Sequence, residues 1–180
     1  MVLGITKLKI ENLTIFPLDP KGKPISVSNS TAEIDYFESI LEPTITMSIN
    51  LFNSYSLFNE VPIRGGEKVE IELEVDSNRW IKGKDIPKTF SLEGDNAMYV
   101  YKVSDISATK ARELLTIHLV SKEYFMNEQS KCMKKYQSNN ISVHVKDILE
   151  NVLETKKDYD KNIEDTSNRY SFYGGNRKPF

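Results

Sequence analysis

A short glycine-rich turn is the first place in this chain where the residue types could do chemistry. Arg64, Gly65 and Gly66 stand directly before Glu67. A phosphate-binding loop needs glycines at the start of a helix, where their backbone amides can bind the phosphate. The glycines here precede a strand pattern instead, and the charge of Glu67 would repel a phosphate. We therefore predict a structural corner, formed by Pro62, Gly65 and Gly66, in which glycine permits a positive φ.

Nucleophilic and metal chemistry have few candidate side chains. The chain has one cysteine, Cys132, and two histidines, His118 and His144. A cysteine–histidine dyad would be the arrangement to consider. However, Cys132 falls among apolar positions, His118 lies within an alternating strand pattern, and His144 lies on the polar side of a predicted helix. The simpler interpretation is a buried structural cysteine, a strand histidine and a solvated histidine.

The carboxylates give no better catalytic candidate. They alternate with apolar residues on predicted strands or lie on polar helix faces, so no pair is set apart in an apolar environment for acid–base work. The cysteine and histidine spacing matches no zinc site. The sequence thus predicts no catalytic residue, no metal ligand and no cofactor, and we do not expect an enzyme.

The bulk composition limits the class of partner. The chain has 180 residues, 39% of them hydrophobic, and a formal net charge of −2. It can bury a core, and it lacks the polybasic excess of a dedicated nucleic-acid binder. The small basic run "KCMKK" has acidic residues nearby in the sequence and is interpreted as solvated surface. No apolar run suits a signal peptide or a membrane span, so we expect cytoplasmic synthesis and no membrane insertion.

Most of the chain, up to about residue 122, has the period of two that is typical of β-strands. In "TITMSINLF" the residues Met47, Ile49 and Leu51 share one face. In "EKVEIELEV" the apolar residues alternate with a charged row formed by Glu70, Glu72 and Glu74. About seven such segments, separated by polar turns, predict an antiparallel meander, sandwich or barrel.

The period changes to that of a helix near Ser121. The segment that Ser121 would cap predicts a short helix, in which Cys132 or Met133 continues the helical spacing of Phe125 and Gln129. A second helix is predicted from the apolar stripe of "NNISVHVKDILENVL", and the polar segment from Asp158 onward is predicted to be a connection. The stripe consists of Ile141, Val145, Ile148, Leu149, Val152 and Leu153. The predicted fold class is therefore mainly β, a β-rich α+β chain.

The order of these elements resembles a known family. The run from Arg112 to Leu153 resembles the segment that closes the first barrel in baseplate hub proteins of contractile-tailed, myovirus-type bacteriophages and leads to their second domain. Type VI secretion spike proteins have a similar arrangement. "FESILEPTITMSINLFNS", "VPIRGGEKVEIEL" and "NRYSFYGGNRKPF" also resemble the hub family.

The resemblance implies a tail-tube-like antiparallel β-barrel at residues 1–138, with a short closing helix. It also implies that residues 139–180 form a helix and connecting segment at the start of a second, incomplete domain. In the family the polypeptide continues past a segment like "RKPF", whereas this chain ends at Phe180, so it is expected to be the N-terminal part of a hub.

The function that the resemblance implies is architectural. Hub proteins form homotrimeric rings that act as symmetry adaptors between the tail tube protein and the central spike protein, among other baseplate proteins, and phage DNA passes through their channel. The expected location is the tail baseplate of a virion. On this hypothesis Arg64 is a candidate interface residue, in a salt bridge within the barrel or between subunits. Glu70, Glu72 and Glu74 are candidate channel-facing residues, although an ordinary solvated strand face remains the alternative.

A second hypothesis belongs to a different class. A small β-barrel could instead be a ligand-binding module on a virion, for nucleic acid or carbohydrate. Trp80, Tyr99 and Tyr101 would then be candidates for a stacking platform, with barrel core or subunit contact as the alternative. This hypothesis predicts that a monomer binds a soluble ligand, whereas the hub hypothesis predicts oligomers or recruitment by tube and spike proteins.

Overall fold

A computed structural model of the chain describes residues 8–39, 41, 42, 44–52, 63–75, 89–108 and 113–179. Two residues with predicted roles, Pro62 and Trp80, lie outside the described residues. The chain divides into two compact units, the first comprising Met1–Phe37 with Thr46–Val120 and the second Glu38–Ile45 with Ser121–Phe180. Compactness alone does not define a domain. The predicted division after residue 138 therefore stays a prediction.

The first unit is built on one antiparallel sheet that curls into a half-barrel. The spatial order of its strands is β2-β1-β5-β7-β8-β4-β3, and β6 pairs with β5 beside this path. The predicted β-rich α+β class is confirmed. The strands are β1 Leu8–Phe16, β2 Ile25–Ser26, β3 Thr31–Phe37, β4 Thr46–Phe52, β5 Lys68–Val75, β6 Thr89–Leu92, β7 Met98–Ala108 and β8 Glu113–Ser121.

The core of this unit is the apolar face of the sheet. Alternate residues point to the same face of a strand, and on β4, β5 and β8 every second side chain is buried. Met47, Ile49 and Leu51 of β4 are among them, as the sequence predicted, and so are Val69, Ile71 and Leu73 of β5. The buried residues of these three strands are Met47, Ile49, Leu51, Val69, Ile71, Leu73, Leu115, Ile117 and Leu119, with Val120.

Two local features help the sheet to curl. The register of β1 against β5 shifts between Ile10 and Asn12, and such a bulge bends a strand. On the apolar face, Tyr36 of the edge strand β3 meets Phe90 of β6 edge to face, with ring centroids 5.1 Å apart. This contact joins two strands that are not neighbours in the sheet.

Among its described residues, the second unit contains two α-helices and a two-stranded antiparallel ribbon. The elements are α1 Lys122–Gln129, β9 Lys135–Asn140, α2 Ile141–Asn151 and β10 Arg169–Tyr173. The segment from Asp158 onward, which was predicted to be a connection, contains the strand β10, and β10 pairs with β9. The helical spacing predicted for Cys132 was wrong, since α1 ends at Gln129 and Cys132 forms a β-bridge with Arg177.

The buried side of α2 is wider than the predicted apolar stripe, whose members Val145, Ile148 and Leu149 are partly buried. Its buried residues are Ser142 and His144, whereas Ile141, at the start of the predicted apolar stripe, is 41% exposed. His144 was expected to be solvated and is only 5% exposed. The reason is that β10 covers this side of the helix, as the Nε2 of His144 donates a hydrogen bond to the Tyr170 carbonyl at 3.1 Å.

A partly buried ion pair ties α1 to the chain after α2. The carboxylate of Glu123 accepts hydrogen bonds from the Thr155 hydroxyl at 2.7 Å and from Lys157 Nζ at 2.8 Å. Burial alone would raise the pKa of Glu123, but the hydrogen bonds from Lys157 and Thr155 outweigh it, and the pKa lies below its usual value. A depressed pKa means that folding favours the ionised carboxylate.

This geometry predicts a pH-dependent contribution to stability. Glu123→Gln is expected to lower the free energy of unfolding at pH 7 by about 1–2 kcal/mol, since a charged acceptor is lost. Because the folded pKa is depressed, the contribution of Glu123 is present above the unfolded pKa and is lost as the pH falls through the folded pKa. Urea denaturation at pH 7 and at successively lower pH should therefore show the difference from wild type shrinking.

The matched control for this prediction is on the same helix. Glu128 forms an exposed ion pair with Lys178, with side chains 42% and 51% exposed. Such pairs contribute little, so Glu128→Gln should change stability by less than about 0.5 kcal/mol. A wild-type advantage over Glu123→Gln that stays constant down to acidic pH would contradict the assignment.

Candidate functional site

The glycine-rich turn binds an anion, but that anion is a side chain of the turn itself. The Glu67 carboxylate is 2% exposed. It accepts hydrogen bonds from the backbone N–H of Arg64 at 2.6 Å and of Gly65 at 2.8 Å. Gly65 and Gly66 have φ of 100° and 95°, a region that glycine adopts without strain. The amides that would have held a phosphate are thus occupied by Glu67.

Backbone hydrogen bonds hold the same turn against β7. Gly66 N–H donates to the Val100 carbonyl at 2.6 Å, and Val100 N–H donates to the Glu67 carbonyl at 2.9 Å. The Arg64 side chain is exposed and forms no ion pair with any described carboxylate. A role for Arg64 between subunits stays a prediction.

The predicted row of carboxylates lies on the outer face of β5, opposite the core, but its members have different surroundings. Glu70 is 19% exposed and pairs with Lys68 Nζ at 2.8 Å, and it also accepts the Gly94 N–H at 3.3 Å. Glu74 is 50% exposed, and Lys9 Nζ lies 3.9 Å from its carboxylate. Glu72 lies between them on the strand and is partly exposed. The accessible negative charge of the row therefore comes mainly from Glu72 and Glu74.

The outer face of β3, β4 and β8 has a second polar pattern that the sequence did not predict. The Asn50 amide donates to Glu33 at 3.0 Å and accepts from the Thr116 hydroxyl at 2.6 Å. In the next row, the Ser48 hydroxyl donates to Asp35 at 3.2 Å. Each row crosses neighbouring strands, and cross-strand hydrogen bonds of this kind help to fix the register of a sheet.

One pair on this face has the geometry of a nucleophile and its base. Ser104 Oγ and His118 Nε2 share a hydrogen bond of 2.7 Å, and the Tyr101 ring lies 5.9 Å from the imidazole. Acyl transfer would also require amide donors aimed at the developing oxyanion. His118 lies on β8, which has strands on both sides, so the amides near it are directed at neighbouring strands. We interpret the pair as a cross-strand hydrogen bond.

The second unit contains an aromatic cluster between α2 and the ribbon. The rings of Tyr136 and Phe172 stack with centroids 4.7 Å apart, and His144 meets both rings edge to face at 5.0 and 5.4 Å. Cys132 is a buried free cysteine, as predicted, and its Sγ lies 3.6 Å from the Tyr136 hydroxyl. The partner of Cys132 is thus a tyrosine, and His144 bonds to a backbone carbonyl.

Charged side chains lie near the buried ring of Tyr136. Lys134 Nζ donates to Asp147 at 2.7 Å and lowers the pKa of that carboxyl against the opposing effect of burial, with a further hydrogen bond from Asn151. Burial raises the pKa of Tyr136, and the neighbouring Cys132 and Asp147 raise it further. A phenol held neutral in this way serves packing and hydrogen bonding rather than acid–base chemistry at neutral pH.

The described residues contain neither a cluster of metal ligands nor a long apolar helix. No group of three or more histidine, cysteine or carboxylate side chains among them is placed to hold a metal ion. No helix within the described ranges is long and apolar enough to span a membrane.

Fold and site together define a class of protein: a β-rich α+β chain whose first unit is a curled antiparallel half-barrel with a polar outer face. No protein-family model matches the chain, and no curated protein matches it.

Proposed function

We propose that this chain is a structural component of a phage tail baseplate. In this proposal it forms a trimeric hub ring that joins the tail tube to the central spike and surrounds the DNA channel. Its role is architectural, its partners are copies of itself together with tube, spike and other baseplate proteins, and its place is the virion.

The observation that carries the proposal is the order of elements at the end of the half-barrel. The last sheet strand, β8, passes directly into the short helix α1, a lysine-containing stretch follows, and the polar residues Asn139 and Asn140 lead into α2. This is the order on which the resemblance to baseplate hubs rests. The additional strand β9 in the lysine-containing stretch is a detail that the resemblance did not predict.

The outer face of the sheet also supports the proposal. Its β5 portion presents the accessible carboxylates Glu72 and Glu74, and repulsion from such a surface would keep a phosphate backbone from adhering while DNA passes. The edge strand β3 has one free side in the described sheet, and exposed strand edges are common sites of association between chains.

Recruitment by neighbouring tail proteins is the decisive test. The purified chain, with a tag, is expected to capture the tail tube and central spike proteins of the same phage, and light scattering should reveal oligomers in their presence. Capture of neither protein, together with saturable binding of a soluble carbohydrate by the monomer, would favour the ligand-binding module instead.

The channel role of the carboxylate row makes a separate prediction. Replacing Glu72 and Glu74 with lysine in the assembled phage is expected to reduce DNA delivery about tenfold, because the channel wall would attract the phosphate backbone. Infective titre per assembled particle is the measurement. Glu70 is left unchanged, since it is paired with Lys68 and its loss would also disturb the fold.

A control with the same change of charge separates this effect from net charge. Glu164 and Asp165 are exposed residues of the second unit, and their replacement by lysine should leave delivery unchanged. Unchanged delivery by the Glu72→Lys, Glu74→Lys phage would remove the channel role while leaving the hub proposal to the capture experiment.

A further inference from the structure

Basic residues without acidic neighbours are concentrated in two segments of the chain that are distant in sequence. The chain has 24 basic and 26 acidic residues. Residues 131–140 and 169–179, which contain the β9–β10 ribbon, hold six of the basic residues and none of the acidic ones. The rest of the chain has 18 basic and 26 acidic residues. The six cations are Lys131, Lys134, Lys135, Arg169, Arg177 and Lys178, all of them exposed.

Backbone pairing brings the two basic segments together. The bridge between Cys132 and Arg177 joins their ends, with Cys132 N–H donating to the Arg177 carbonyl at 2.8 Å. Lys134 and Lys178 are already paired with carboxylates. The other four cations form no ion pair with a described carboxylate, which leaves their charge available to an external anion. These four are Lys131, Lys135, Arg169 and Arg177.

Aromatic rings are interleaved with these cations. Tyr170, Phe172 and Tyr173 of β10 are 48%, 43% and 63% exposed. Tyr173 lies directly opposite Lys135 in the ribbon, so a ring and an ammonium group share one face. The ribbon has only two strands in the described chain, so no other described strand pairs with β10.

We propose that the β9–β10 ribbon, residues 131–140 with 169–179, binds single-stranded nucleic acid. Phosphates would lie along the four unpaired cations, and an unstacked base would pack on the Tyr173 ring. Cations that follow a backbone, combined with exposed rings, are what sequence-independent binding of a single strand requires. A duplex offers the phosphates but not the free base faces. This inference is independent of the proposed baseplate role.

Fluorescence anisotropy with the full chain tests the proposal. The probes are labelled oligo(dT) and oligo(rU) of about 20 nucleotides and a duplex of the same length. Micromolar binding of the single strands is expected at low salt, and it should weaken about 50-fold between about 50 and 200 mM salt for four phosphate contacts. Comparison of the two single-stranded probes shows whether the chain binds DNA or RNA more tightly.

Variants separate stacking from charge. Tyr173→Ala should weaken binding about tenfold, whereas Tyr173→Phe keeps the ring and should bind like wild type. Lys135→Glu with Arg177→Glu should weaken binding more than tenfold. Lys21→Glu with Lys23→Glu, at two exposed lysines of the first unit, makes the same change of net charge and should have little effect.

Three results would overturn the proposal. One is the absence of saturable binding to either single strand. Another is equal binding by wild type and Tyr173→Ala with heparin competing as well as oligo(dT), which would indicate a partner recognised by charge alone, such as an acidic protein. The third is binding to phosphatidylserine vesicles without binding to oligonucleotides, which would assign the ribbon to anionic membranes.

Discussion

Glu67→Ala is expected to lower the free energy of unfolding by about 3 kcal/mol, a large effect for one residue outside the apolar core. The Glu67 carboxylate is almost fully buried, and it accepts the N–H groups of Arg64 and Gly65. Removing it leaves two backbone donors of the turn without their charged acceptor. Urea denaturation of the variant and of wild type measures the difference.

A graded pair of variants distinguishes the hydrogen bonds from simple loss of volume. Glu67→Gln has nearly the same shape, but its amide NH₂ would face a backbone donor, so an intermediate loss of about 1–2 kcal/mol is expected. Glu74→Ala removes an exposed carboxylate of the following strand and should cost less than about 0.5 kcal/mol. Equal stability of Glu67→Ala and Glu74→Ala would contradict the role assigned to Glu67.

The same variant tests the anion-binding character of the turn. Successive backbone N–H groups in a glycine turn form a concavity that suits an anion. Formate has the carboxylate of Glu67 without its stem, so adding formate should raise the midpoint of thermal unfolding of Glu67→Ala more than that of wild type. No such difference would indicate that the turn collapses once its own carboxylate is gone.

The Glu67 site illustrates what a sequence pattern can and cannot predict here. Alternation on β4 and β5 correctly placed Met47, Ile49 and Ile71 in the core, because a half-buried strand requires this period. The two glycines before Glu67 predicted a positive φ, and both of them have one. The burial of Glu67 itself was not predictable, since a glutamate bonded to its own turn looks the same in sequence as a solvated one.

His144 shows a different limit. Its helix was predicted correctly from periodicity, but the burial of His144 was not, because it depends on β10, which follows 25 residues after His144. The weakly patterned sequence of β10 gave no strand signal of its own. The same holds for the hydrogen bond between Ser104 and His118, which depends on how β7 and β8 pair. Contacts that depend on pairing between distant segments lie beyond a single-sequence argument.

The second prediction with a large expected effect concerns Gly174, which lies in the segment Tyr173–Arg177. A Cβ added to Gly174 would clash with the Cys132 carbonyl oxygen and lie 2.7 Å from its Sγ. The Cys132 backbone has little freedom to retreat, because its N–H bonds to Arg177 and its carbonyl accepts the Asn176 N–H at 3.1 Å. Gly174→Ala is therefore expected to cost about 3 kcal/mol or more, at the upper end of overpacking effects.

The thiol of Cys132 reports this change directly, because it is the only cysteine in the chain and is buried. If labelling requires opening of the segment that covers Cys132, a loss of about 3 kcal/mol accelerates labelling by a thiol reagent about 100-fold. Gly175→Ala is the control. Gly175 has φ of 64°, but an added Cβ would have its nearest contact at 3.8 Å, so the backbone strain should cost only about 1 kcal/mol.

The comparison between the two glycines makes the experiment decisive. A cost due to backbone conformation would be larger at Gly175, which has the positive φ, whereas a cost due to close approach would be larger at Gly174. We expect labelling to be faster in Gly174→Ala than in Gly175→Ala by about tenfold or more. Equal or reversed rates would mean that the C-terminal segment is not closely packed against Cys132, and the ribbon that presents Tyr173 and Arg177 would lose its structural basis.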